Sequence, residues 1–125
     1  MILDTNALSA WAEGIQAVEE ILGNANSVSV PSIVLGEYYF GIQQSRYYDR
    51  YARWLNLILP NIEIASVDRR TAQWYAQIRL ELKRNGTPIP SNDTWIAAIG
   101  KQYDSPILSN DTHLDRVIGV HRIGF

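Results

Sequence analysis

The sequence predicts an α/β fold in which a short central parallel sheet is flanked by helices. Short apolar runs alternate with longer amphipathic segments, and no linker, repeat or low-complexity stretch interrupts that alternation. A chain of 125 residues, 46% of them hydrophobic, is long enough for one core and too short for two. The short runs are Ile2-Leu3, Val28-Ser29-Val30, Ile62-Glu63-Ile64, Pro106-Ile107-Leu108 and a weaker Val120-His121-Arg122-Ile123, which read as brief buried strands. Between them lie helical candidates at Ile15 to Leu22, Ser32 to Ile42, Tyr47 to Leu59, Arg69 to Arg84 and Asn92 to Tyr103, with a short turn near His113 to Val117. In the longest of these Asp68 can cap the N-terminus, and Ala72, Tyr75, Ile78 and Leu82 form an apolar stripe that leaves Arg69, Arg79, Lys83 and Arg84 facing water. Strand-helix alternation of this kind implies a sheet covered on both faces, with its ligand outside the carboxyl ends of the strands.

Composition removes several classes of function. With 11 Lys+Arg against 13 Asp+Glu the net charge is -2, so the chain is neither a polycation nor an acidic tail. The absence of cysteine excludes disulfide scaffolds, thiolate metal sites and Cys nucleophiles, and nothing demands an oxidising compartment. No apolar run approaches the roughly 20 residues that span a bilayer. Met1-Ile2-Leu3-Asp4 opens directly into structure without a basic, signal-like segment, so a soluble cytoplasmic protein is expected.

Four acids stand in unusual places. Asp4 follows the apolar Met1-Ile2-Leu3, at the carboxyl end of the first strand, where its ordinary use would be to cap a following helix. Glu37 is the only charge between Val28 and Ile42, and with Val34, Tyr38 and Gly41 it falls on one helical stripe. Burying an unpaired charge there costs several kcal/mol. Asp93 shares a face with Ile96, Ala97 and Gly100; a first-turn aspartate suits the helix dipole, but the dipole does not require it to face inward. Asp111 comes just past the strand at Pro106-Ile107-Leu108, where a loop or capping aspartate is also common.

A parallel fold would gather these four into one cleft. Two unit charges 4 Å apart repel by about 4 kcal/mol at an effective dielectric of 20, so either some stay protonated or a cation lies among them. An all-oxygen set without cysteine or clustered histidine selects a hard divalent ion, Mg2+ or Mn2+ rather than Zn2+. One or two such ions generate hydroxide from water and neutralise a phosphodiester oxygen, which makes phosphoryl-ester hydrolysis the natural chemistry. Thr5, Asn6, Asn92, Ser109 and Asn110 are placed to supply supporting hydrogen bonds.

At these residues the sequence resembles the PIN-domain ribonucleases, and within them toxins of the VapC kind from type II toxin-antitoxin pairs. The resemblance rests on Ile2-Leu3-Asp4-Thr5-Asn6, on Leu35-Gly36-Glu37-Tyr38-Tyr39-Phe40-Gly41, on the segment from Gly86 to Ala98 that includes Ser91-Asn92-Asp93-Thr94, and on Leu108-Ser109-Asn110-Asp111 with Arg116-Val117. The segments occur in the family's order over the whole chain, residues 1–125. The resemblance implies that Asp4, Glu37, Asp93 and Asp111 bind Mg2+ or Mn2+ for endonucleolytic cleavage of RNA. It also implies a homodimer and a cognate antitoxin whose tail blocks the cleft. Gly36 stands where the family usually has Ala, Ser109 where Thr is common and Leu114 where an aromatic is usual; none of these removes a carboxylate. Asp115 reads as a surface acid in this pattern.

Other features have ordinary explanations. Tyr47, Tyr48, Tyr51 and Trp54 alternate with Arg46, Arg50 and Arg53, and the arrangement fits an amphipathic helix whose aromatics face the core or a dimer partner better than an RNA-binding segment, while an antitoxin groove would look the same in sequence. Arg69, Arg70, Arg79, Lys83 and Arg84 read as a solvated face. His113 and His121 are isolated; a catalytic role is open to His113 beside Asp111, but a capping or surface histidine is its more ordinary use. Two other functions compete with the nuclease. A phosphoaspartate enzyme would need an acid where Asn6 stands and a lysine at a strand end, whereas Lys101 lies within a helix. A catalytically silent RNA-binding or scaffold module with the same fold is the alternative from a different class.

Overall fold

The computed structural model describes residues 1–125. Its elements run β1 (Ile2–Leu3), α1 (Thr5–Ala12), α2 (Gln16–Gly23), β2 (Ser29–Pro31), α3 (Ser32–Gln43), α4 (Tyr48–Ile58), a 3-10 turn at Leu59–Asn61, β3 (Glu63–Ala65), α5 (Arg69–Arg84), α6 (Ser91–Tyr103), β4 (Ile107–Leu108), a 3-10 turn at Thr112–Arg116 and β5 (Arg122–Ile123). The five strands form one all-parallel sheet in the order β3-β2-β1-β4-β5, with Ile2 opposite both Ser29 and Ile107. The expected α/β architecture is therefore met. The chain runs outward from β1 through β2 to β3, then crosses back past β1 to β4 and β5. The direction of winding reverses between β1 and β4, and the crevice at such a switch point is where open parallel sheets bind ligands.

One helix was not among the expected segments. Thr5–Ala12 begins immediately after a two-residue strand because Asp4 is extended (ψ 166°) and its carboxylate accepts from Thr5 N at 2.7 Å, capping the helix without a polar linker. Two predicted stripes also shift by one residue. In α5 the buried positions are Thr71, Ile78 and Leu82, and Ala72 is exposed, because Thr71 turns inward to complete a reciprocal capping box with Asp68. In α3 the buried row is Val34, Tyr38 and Ile42; Gly41 is exposed and Glu37 lies half-buried at its edge. In α4 the core contact comes from Leu55, Tyr51 and Trp54, with Trp54 edge-on to Trp11, while Tyr47 is exposed.

The core is continuous, joining Ile2, Leu3, Val30, Ile107 and Leu108 of the sheet to Leu8, Val34, Ile78 and the row Ile96 to Ile99 of the helices. Gly100 is where α6 comes closest to β4: a Cβ there would stand 2.8 Å from Ile107 Cδ1 and 3.2 Å from its Cγ1. Ile107 is itself fully buried, so its side chain would have to give way within the packed core. Gly100→Val is therefore expected to destabilise the fold by about 2 kcal/mol, read as a lower denaturant midpoint with an unchanged m-value. No helix is long and apolar enough to cross a membrane.

Candidate active site

Asp4 and Asp111 reach the site from the carboxyl ends of the two strands that flank the switch point. Asp4 is 4% exposed and fully tied. One carboxylate oxygen accepts from Thr5 N, and the other accepts from Ser109 Oγ at 2.6 Å and Asn6 Nδ2 at 3.1 Å. Ser109 Oγ in turn accepts from Asn6 Nδ2 at 3.1 Å and from Asp111 N at 2.9 Å, so a single hydroxyl joins the two strand-end acids. Asn6 Oδ1 accepts from Asn110 N at 2.9 Å, which locks the loop after β4 onto the start of α1. Asp111 opens the second 3-10 turn, accepting from His113 N at 2.9 Å.

Asp93 and Glu37 come from the helices. Asp93 sits in the first turn of α6, its side chain 14% exposed, and no backbone amide, lysine or arginine compensates it. Its pKa is pushed up to about 6, chiefly by burial, then by the charges of Asp111 and Asp4 and by sharing a proton with Asp111, with His113 opposing. Glu37 is likewise raised by burial and by the charge of Asp4, while the Thr5 hydroxyl and the Asn92 amide that face it pull it back down. The four acids thus form an electrostatic chain, Glu37 to Asp4 to Asp93 to Asp111, in which Asp93 and Asp111 come within metal-ligand reach of each other and Asp4 and Glu37 stand outside that group.

His113 belongs to this cluster: its side chain is 41% exposed, but it is not isolated, and it lies beside Asp93 as well as the Asp111 that the sequence places next to it. Its Nδ1 lies 3.0 Å from Asp111 Oδ1 and 3.3 Å from Asp93 Oδ2. One ligand atom from each of Asp93, Asp111 and His113 falls within 4.8 Å of the others. The sequence signal was the Asp-x-His spacing at the mouth of a strand, which a tight turn folds back on itself. Asn110 needs a correction of the opposite kind, since its side chain accepts from Phe125 N and ties down the C-terminus instead of a carboxylate. Asp115 stands outside, held bidentately by Arg122 at 2.8 and 2.9 Å while the same guanidinium donates to Ser109 O at 3.0 Å.

These residues fit a divalent cation. The donors are hard oxygens with one imidazole nitrogen, and no arginine or lysine neutralises any of the four acids. Two buried polar atoms at the cleft, Thr5 Oγ1 and His113 Nδ1, have no directed hydrogen-bond partner, close as the latter is to two carboxylates. Carboxylates that repel and polar atoms that lack partners are both relieved by a bound cation and its water.

Comparison with known proteins follows the same lines. The PIN domain family model matches residues 1–120. Ribonuclease VapC2 of Haemophilus influenzae is 30% identical over 98 residues, 78% of this chain and 74% of that protein. Ribonuclease VapC2 of Rickettsia felis is 26% identical over 114 residues, 88% of this chain and 85% of that protein. The structure of DNA-bound VapBC from Salmonella typhimurium matches with a TM-score of 0.88 at 25% identity, covering 98% of this chain and 96% of the matched one. A family match over almost the whole length, and a relative at 30% identity over most of it, place this chain in the PIN domain family.

Proposed function

We propose that this chain is a metal-dependent endoribonuclease of the VapC kind, the toxin of a type II toxin-antitoxin pair, and that Asp4, Glu37, Asp93 and Asp111 hold its Mg2+ or Mn2+. The observation that carries the proposal is the run of four electrostatically linked acids from two strand ends and two helices, none of them in an ion pair with lysine or arginine. The names of the relatives, ribonucleases and VapBC complexes, favour RNA as substrate and an antitoxin as partner.

When bound, the cation would activate water and neutralise the phosphodiester charge. The chain's own residues set where that happens. Asp4, fixed by three side-chain and backbone donors, gives the site an oxygen that does not reorient. Ser109 makes the position of Asp111 depend on that of Asp4. Asp93 and Glu37, brought in by the helices, add two carboxylates that no lysine or arginine pairs with. His113 lies against Asp93 and Asp111 at the rim, where it fixes the outer side of the pair.

The antitoxin reading has its own support. Beside Glu37 a cavity of about 240 Å3 runs between α1, α3 and α4, lined by Thr5, Glu13, Tyr38 and Tyr51. Tyr38 Oη is buried there without a partner, its pKa pushed up to about 12 by burial and nearby Tyr51 and Glu13. A polar peptide segment entering here would satisfy these groups and cover Glu37. A homodimer and a cytoplasmic location complete the reading, in keeping with the family.

Incubation of the purified chain with a mixed RNA pool tests it. Cleavage is expected in Mg2+ or Mn2+, loss of cleavage on EDTA, and recovery when the metal is restored. RNA retained with unchanged affinity in EDTA and never cut would instead support a silent RNA-binding module.

A further inference from the structure

On the far side of the α6 N-terminus from Asp93 lies a cavity of about 400 Å3, within the size range of small-ligand sites. Arg79 and Lys83 of α5 form one wall, Pro88 and Ile89 of the loop between α5 and α6 another, and Tyr75 and Ser91 close the floor. The chain's ion pairs engage only His113 and Arg122, so both basic residues here lack an acidic partner. Their environment is nonetheless organised. Arg79 donates to Tyr75 Oη at 2.9 Å, the same hydroxyl lies 3.2 Å from Ser91 Oγ, and the Tyr75 ring stacks on Trp95 with centroids 3.9 Å apart. The cavity is coupled to the acidic cleft by two routes. Ser91 at its floor is two residues from Asp93 in the first turn of α6. Arg116, from the turn that Asp111 opens, donates to Pro88 O at 3.1 Å and ties the cavity's rim to the site.

We propose that this cavity is a second subsite for the RNA strand, taking a nucleotide that flanks the scissile position, with Arg79 and Lys83 on its phosphate and the Pro88–Ile89 wall against its sugar or base. The inference rests on the nuclease reading above. An acidic cleft gives a polyanion no purchase outside the cation it holds, and two unpaired cations on a preorganised aromatic support supply the missing attraction. A strand leaving the carboxylates over the start of α6 passes the backbone N–H groups of that first turn and meets the cavity next. The basic residues of α5, a solvated face on sequence alone, are thus divided. Arg79 and Lys83 line the cavity, and Arg69 and Arg70 lie at the other end of the helix.

The test compares Arg79→Gln/Lys83→Gln with Arg69→Gln/Arg70→Gln, a variant that loses the same charge from the same helix. KM for the mixed RNA pool is measured in the active protein, and affinity for a fluorescein-labelled 12-nucleotide single strand of mixed sequence is measured in an Asp4→Asn background. The cavity variant is expected to raise KM and weaken the oligonucleotide about tenfold with little change in kcat, and to flatten the salt dependence of log K by about 0.7 for the one phosphate no longer neutralised. The control variant is expected to change neither. Wild type that cuts RNA beside a cavity variant of unchanged KM and affinity would overturn the subsite and leave the nuclease standing. Equal losses in both variants would reduce the effect to net charge, and a changed elution volume on size exclusion would assign the cavity to a subunit contact; either overturns the proposal. RNA neither cut nor bound by the wild type would overturn the nuclease reading and the subsite with it.

Discussion

Asp4→Asn is expected to lower RNA cleavage at least about 1,000-fold, equivalent to roughly 4 kcal/mol of activation free energy, while the fold survives. The asparagine oxygen can still accept from Thr5 N and cap α1. Its amide would then face Asn6 Nδ2 and the Ser109 hydroxyl, two groups that now donate to a carboxylate oxygen. Losing that arrangement costs about 1–2 kcal/mol, visible as a modest fall in melting temperature and too small to explain the loss of activity. Ser109→Ala, which frees Asp4 and Asp111 from each other without removing a carboxylate, is expected to cost only about 10- to 100-fold. Cleavage kinetics of the two variants beside wild type, with circular dichroism melts, separate these effects.

Asp93→Asn is expected to abolish cleavage and at the same time make the metal-free protein more stable. Asp93 has its pKa raised to about 6 in the folded state from an ordinary value of 3.8. Between those pH values the native state binds more protons than the unfolded chain, so stability falls as pH rises through that window and the loss is complete above it. Asparagine removes the titration. Partial exposure screens the repulsion, and the gain in EDTA at pH 8 is expected to be about 1 kcal/mol, or about 3–5 °C in melting temperature, shrinking to nothing below pH 4. Excess Mg2+ or Mn2+ should reverse the order, because the wild type gains binding free energy that the variant cannot. Thermal melts of both proteins across pH, with EDTA and then with metal, read all three behaviours. A variant that melts at or below the wild-type temperature in EDTA at pH 8 would contradict the account of Asp93.

What the sequence made legible, and what it hid, follows the range of the interactions. Helix α5 was readable to the residue because its capping aspartate is a local signal; the inward turn of Thr71 was not, since Ala72 carries the more apolar side chain. Glu37 stood out as a lone charge in an apolar segment and Asp93 as an acid on an inward face, and both lie at the cleft. Helix α1 is only half legible: Asp4 reads as able to cap a following helix, but Thr5 and Asn6 read as site residues and no helical segment is expected before Ile15. His113 was hidden because a lone histidine carries no periodic signal and only the tight turn after Asp111 brings its ring to Asp93, twenty residues away in sequence. Asn110 had the right position and the wrong direction, which is set by the chain's last residue.

The central claim is that these carboxylates act together in holding a divalent metal, and Mn2+ binding measures it most directly. Electron paramagnetic resonance of free Mn2+, titrated into wild type, Asp4→Asn, Glu37→Gln, Asp93→Asn and Asp111→Asn proteins of verified fold, should show binding by wild type that competes with Mg2+. Each substitution is expected to weaken it tenfold or more. Wild type that leaves Mn2+ free, or four variants that bind it as wild type does, would contradict the claim.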